Sequence, residues 1–178
     1  LLERLADRIE NATALVTYNG KAFDMPLLRA RYVLSRRPPP REPPHVDLVH
    51  AARRVYGARV DGCRLVTLER EVLGFVREGD VPSGEIPMRY TNYLRQGLAE
   101  PLQAVIEHNL WDVIAMAALL GELAARTDGL ESQGRFEASD RTGLARTAER
   151  AGSQGLAVAL AEQALAESAR AGDAVVAV

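Results

Sequence analysis

The chain has 178 residues, 47% apolar and 26% charged, with a net charge of −2. That is enough for one domain with a core plus a small appendage, and so slight a charge excludes global attraction to nucleic acid. The single cysteine, Cys63, excludes an internal disulfide and a cysteine-built metal centre. It fits a reducing, cytoplasmic setting.

Charge is nonetheless unevenly placed. Between Arg29 and Arg59 stand eight arginines against two acids, Glu42 and Asp47. Such a stretch either tracks phosphates or forms a solvated face. No signal peptide is visible, and the most apolar run, residues 110–120, is short and holds Asp112, which argues against a membrane span.

In chain order, Leu1, Leu2, Leu5 and Ile9 recur at helical spacing. Residues 11–18 (NATALVTY) read as a buried strand, broken by Asn19-Gly20. Pro26 suits the first turn of a helix running through Leu34. The prolines of residues 38–44 predict an extended loop. A short strand over residues 45–48 and a helix through Val55 follow.

A turn at residues 57–62 leads to a helix over residues 65–73, ended by Gly74. Residues 79–87 read as a loop and residues 88–94 as a helix. The longest periodic segment, residues 101–125, is one helix. Alternating helices and strands argue an α/β class, but two or three strands do not make an independent sheet. The chain therefore reads as a fragment whose first strands lie upstream of Leu1.

Beyond Thr127 the composition turns polar and glycine-containing, so residues 127–142 read as a linker. Residues 143–171 read as a helical pair. There Ala145, Gly152, Ala157 and Ala164 have the small-residue spacing of one tetratricopeptide-like repeat. Such a tail would offer a surface for a protein partner.

Two places carry chemistry. In residues 18–24 (YNGKAFD) a strand enters a glycine-permitted turn and then a carboxylate just before a helix. This puts Asp24 at the carboxyl edge of a sheet, where ligands gather in α/β folds. A helix cap is the alternative role. In residues 108–112 (HNLWD), His108 and Asp112 are four apart and share a helix face. Asp112 lies in an otherwise apolar stretch, so it is either paired, metal-bound or turned to solvent.

Taken together, residues 18–28 (YNGKAFDMPLL) followed by HNLWD resemble the DEDD (DnaQ-like) 3′–5′ exonucleases of the ribonuclease-H-like superfamily, and within them the YprB-like branch. Residues 47–50 (DLVH), 63–69 (CRLVTLE) and 84–90 (GEIPMRY) add branch-typical segments in order. The resemblance covers residues 1–126, a ribonuclease-H-like domain lacking its N-terminal strands.

The resemblance implies a metal-dependent exonuclease with Asp24 and Asp112 as metal ligands for two Mg²⁺ or Mn²⁺ ions. His108 would take the proton of the attacking water or hold it in line. Asn19, Lys21, Phe23 and Asn109 would contact the substrate, a DNA or RNA strand with a single-stranded 3′ end. The family's other two ligands, an Asp–x–Glu pair on the first strand, do not precede Asn11 here. The motif is expected upstream, and this stretch alone is expected to show little activity. His108 also stands four residues before Asp112, the slot the family's tyrosine subgroup fills with Tyr. The competing readings are an inactive nucleic-acid-binding module and a tetratricopeptide-type interaction module. No membrane partner is expected.

Overall fold

A computed structural model describes residues 1–128 and 135–176. The chain forms two compact units, one of Leu1–Arg64 with the segment that starts at Phe136, the other of Leu65–Arg135.

In the first unit, α1 (Leu2–Glu10) precedes β1 (Leu15–Thr17), then α2 (Asp24–Leu34), β2 (His45–Asp47) and α3 (Leu48–Val55). The two strands pair in parallel, with Leu15 opposite His45 and Thr17 opposite Asp47. Parallel pairing needs a crossover, and α2 supplies it. The strand predicted over residues 11–18 keeps only three residues, and β2 is equally short. With one neighbour each, they have no further ladder to extend their pairing. Tyr32 of α2 is buried and donates its hydroxyl to the Leu2 carbonyl at 2.6 Å. The charge-dense surface is partly self-neutralised, since Arg29 pairs with Glu42 and Arg37 with Glu3.

The C-terminal helices α7 (Ala138–Arg150) and α8 (Gln154–Val176) belong to this same unit. Residues 138–142 of the stretch read as a linker lie in α7, and residues 129–134 of it lie outside the described residues. The helix starts early because Asp140 accepts from the backbone N–H of Glu137 at 3.0 Å, closing the first turn.

Asp140 is wholly buried and meets Arg59, whose Nη2 lies 2.7 Å from its Oδ2. A buried carboxylate tolerates this only with a charged partner. Gly143 lets α7 approach α3 closely, since a Cβ there would stand 2.5 Å from the carbonyl oxygens of Arg54 and Val55. Phe136 meets Tyr56 edge-on at 6.2 Å. Ala145, Ala157 and Ala164 are buried, while Gly152 follows α7 in the left-handed region at φ 80°.

In the second unit, α4 (Leu65–Leu68) runs into a π-helical turn over Glu69–Leu73, capped by Gly74 in the left-handed region. A one-turn 3₁₀ segment (Ser83–Glu85) leads to α5 (Ile86–Gln96), and α6 spans Glu100–Asp128. Leu68, Val72, Val81, Ala115, Leu119 and Leu123 form its core.

The helix α6 is the one described helix long and apolar enough to cross a bilayer by length and composition. It carries Asp112 and Glu122 in ion pairs with Arg77 and Arg126, and 11% of its apolar window is buried.

Candidate functional site

The first motif is built around an aspartate that terminates β2. Asp47 is buried, and its Oδ1 accepts from the backbone N–H of Asn19 at 2.7 Å. Its Oδ2 accepts from the N–H of Lys21 at 2.9 Å. The same Oδ1 caps α3 through the N–H of Val49 at 3.3 Å. Burial alone would push this carboxyl up; the three N–H groups outweigh it and hold it below the usual carboxylate range. One side chain thus ties the loop after β1 to the end of β2.

Asn19 takes φ 62° in that loop, a region its short amide side chain tolerates better than most. Tyr18 anchors the loop's other side by donating its hydroxyl to the Cys63 carbonyl. Burial pushes that phenol well above its ordinary value.

The loop presents Asn19, Lys21, Phe23 and Asp24 to solvent. Phe23 is 61% exposed, so it is no core residue. Asp24 is the first residue of α2 and not its cap; Phe23 occupies the cap position and makes no side-chain cap bond. Among the described residues Asp24 has no hydrogen-bond or ion-pair partner. Its charge sits in the first turn, where the helix dipole favours an anion.

The second motif, in the other unit, is organised by a guanidinium. Arg77 lies in the loop between Gly74 and Gly79, both in the left-handed region, and only 3% of its side chain is exposed. Its Nε donates to Glu69 Oε2 at 2.7 Å, and its Nη2 also reaches Glu69 Oε1. Glu69 itself is 1% exposed and opens the π-helical turn. Nη1 reaches Asp80 Oδ2 at 3.1 Å. Nη2 donates to Asp112 Oδ1 at 2.7 Å. Burial opposes the charge on Arg77, but Glu69 and Asp112 together hold it firmly protonated.

Asp112 is therefore neither a bare buried acid nor a plain solvent-facing one. Its side chain is about one-third exposed (34%), one oxygen is bound by Arg77, and Oδ2 lies 3.6 Å from His108 Nε2. The His108 ring is anchored from its other nitrogen, with Nδ1 2.7 Å from Asp80 Oδ1. A carboxylate at Nδ1 favours the tautomer protonated there and leaves Nε2 as the basic nitrogen. Burial would raise the Asp80 carboxyl; contact with His108 and the field of Arg77 bring it below the usual range. Asn109 is exposed. Trp111 stacks on Phe75 with ring centroids 5.0 Å apart, beside an apolar pocket also lined by Leu73, Ile114 and Ala115.

The structure thus brings His108 and Asp112 onto one face, as their spacing predicted, and gathers Asn19 and Lys21 around Asp47. Asp24 belongs to the first unit and Asp112 to the second. Sequence reasoning passed over Arg77, Glu69 and Asp80. Their only signal is an arginine and an aspartate three apart in a glycine-flanked loop, and nothing in that spacing points to Asp112.

Among the described residues no group of three or more His, Cys, Asp or Glu side chains is arranged to hold a metal ion. The donor chemistry of the two candidate acids nonetheless fits a hard divalent cation. Asp24 offers an exposed, unpartnered carboxylate, and Asp112 keeps Oδ2 clear of Arg77.

Comparison with known proteins decides the family. The RNase_H superfamily profile matches residues 1–124. The chain belongs to the RNase_H superfamily. It is also 40% identical over 109 residues to the uncharacterized protein YprB of Bacillus subtilis (strain 168). That alignment covers 60% of this chain and 26% of the relative, so the chain spans about a quarter of that protein's length. No solved structure matches. The superfamily match runs through both motifs.

Proposed function

We propose that the intact protein is a metal-dependent 3′–5′ exonuclease of the DEDD type, hydrolysing phosphodiester bonds in nucleic acid. The observation that carries this reading is the geometry at the second motif. Asp112, fixed on one oxygen by Arg77, keeps its other oxygen 3.6 Å from the ring nitrogen of His108.

In this reading Asp24 and Asp112 are the metal ligands this chain supplies. A divalent ion held there would stabilise charge on the phosphate and lower the pKa of a bound water. The chain's own residues do the rest. His108, with Nδ1 anchored on Asp80, presents Nε2 as a base to a water at the Asp112 carboxylate. Lys21 and Asn19, exposed on a loop whose backbone Asp47 fixes, meet the phosphate of the strand being cut. Phe23, exposed at the start of α2, offers a ring face to an unpaired base. An Asp–x–Glu pair, which would complete the family's ligand set, does not occur in residues 1–178.

The test is degradation of a 5′-labelled single strand by the intact protein with Mn²⁺, beside Asp24→Asn and Asp112→Asn. Shortening from the 3′ end by the wild type and background rates for both variants are expected. Unchanged rates in both variants refute the assignment.

A further inference from the structure

The guanidinium of Arg77 is spent on neither solvent nor a simple surface pair. Glu69 holds it by two parallel contacts, Nε to Oε2 and Nη2 to Oε1, and both partners are almost fully buried. So held, Arg77 cannot swing, and the planar fork fixes where its remaining donors point. One of them, Nη2, meets Asp112 Oδ1 at 2.7 Å. Another, Nη1, meets Asp80, the residue that orients His108. A single buried cation therefore sets the rotation of Asp112 and joins it to the support of His108.

We propose that Arg77, braced by Glu69, is the positioning residue that fixes Asp112 with Oδ1 turned inward and Oδ2 presented to a divalent ion. The inference rests on the metal-dependent reading of Asp112 given above. Supporting groups that orient a metal-ligating carboxylate affect affinity by about 10–100-fold. The competing role is one of charge, because a cation beside a carboxylate opposes a second cation. Here three carboxylates, Glu69, Asp80 and Asp112, face the one guanidinium. Three carboxylates against one guanidinium leave the cluster net negative, so it still attracts a metal ion.

The two roles predict opposite results in a variant that leaves this net charge unchanged. Glu69→Leu with Arg77→Met removes one negative and one positive charge together and replaces a buried pair by apolar side chains, a change proteins often tolerate. Mn²⁺ binding to the intact protein is measured by titration calorimetry for wild type, this double variant, Arg77→Lys and Asp112→Asn. Asp112→Asn is expected to lose the Asp112-dependent binding. The double variant is expected to bind Mn²⁺ about 10–100-fold more weakly. Arg77→Lys, which keeps the charge but not the fork, is expected to fall between it and wild type.

Wild-type or tighter Mn²⁺ affinity in the double variant overturns the positioning role while leaving the nuclease reading intact. If circular dichroism shows that the double variant does not fold, Arg77→Lys decides alone: weakened binding supports the role and wild-type affinity overturns it. An Asp112→Asn protein that binds Mn²⁺ as wild type does brings down the underlying metal reading, and this inference with it.

Discussion

The two motifs are held in place by opposite means. In the first unit an acid, Asp47, gathers backbone N–H groups from Asn19, Lys21 and Val49, so the loop that carries Asp24 is positioned through its main chain. In the second unit a base, Arg77, gathers carboxylates from Glu69, Asp80 and Asp112, so the acid of interest is positioned through its side chain. The difference has a consequence. Asp24 keeps an unpartnered, exposed carboxylate, whereas Asp112 has one oxygen engaged and one presented. Backbone positioning leaves side-chain chemistry open; side-chain positioning selects a single orientation.

The largest expected effect comes from breaking the second arrangement on one side only. Arg77→Met leaves Glu69 buried at 1% exposure with no countercharge, and unpaired charges of this kind cost about 3–5 kcal/mol. Thermal or urea unfolding of the intact protein is expected to show that loss, and the paired Glu69→Leu/Arg77→Met change to restore most of it. Equal stability of the single and double variants would show that the buried pair is not the organising contact.

A smaller effect is expected in the first unit. Asp47→Asn replaces a charged acceptor of three N–H bonds by an amide with one acceptor atom, and leaving buried donors unsatisfied costs about 1–3 kcal/mol. Because the Asp47 carboxyl sits below the usual carboxylate range when folded, its contribution is complete above the unfolded value of about 3.9. It is lost as pH falls through the lower folded value. Wild-type stability is therefore expected to drop more steeply than that of Asp47→Asn as pH falls below about 4, measured by urea unfolding across that range. Parallel curves would remove Asp47 from the account of the loop.

Much of this was legible in the residues, and the illegible part has a physical reason. The alternation of helix and strand, the break at Asn19-Gly20, the helix end at Gly74 and the shared face of His108 and Asp112 all follow from local spacing, and the structure has them. The partners of those residues do not. Asp47 reads locally as the cap of α3, and it is one; its bonds to a loop 26 and 28 residues earlier depend on the parallel pairing of β1 with β2. Arg77 lies 35 residues from Asp112 and joins it only because the loop between Gly74 and Gly79 folds back onto α6.

The C-terminal pair shows the same limit. Its small residues gave the spacing of a helical pair, but the approach of Gly143 to α3 and the pairing of Asp140 with Arg59 are contacts that no helical period encodes.

The most direct test of the central claim is diffraction from crystals of the intact protein soaked in Mn²⁺, with data collected to locate the anomalous scatterer. The account predicts a peak within direct coordination distance of Oδ2 of Asp112, with Oδ1 still on Arg77. Manganese bound only elsewhere, or an Asp112 with both oxygens turned onto Arg77 at saturating Mn²⁺, would contradict it.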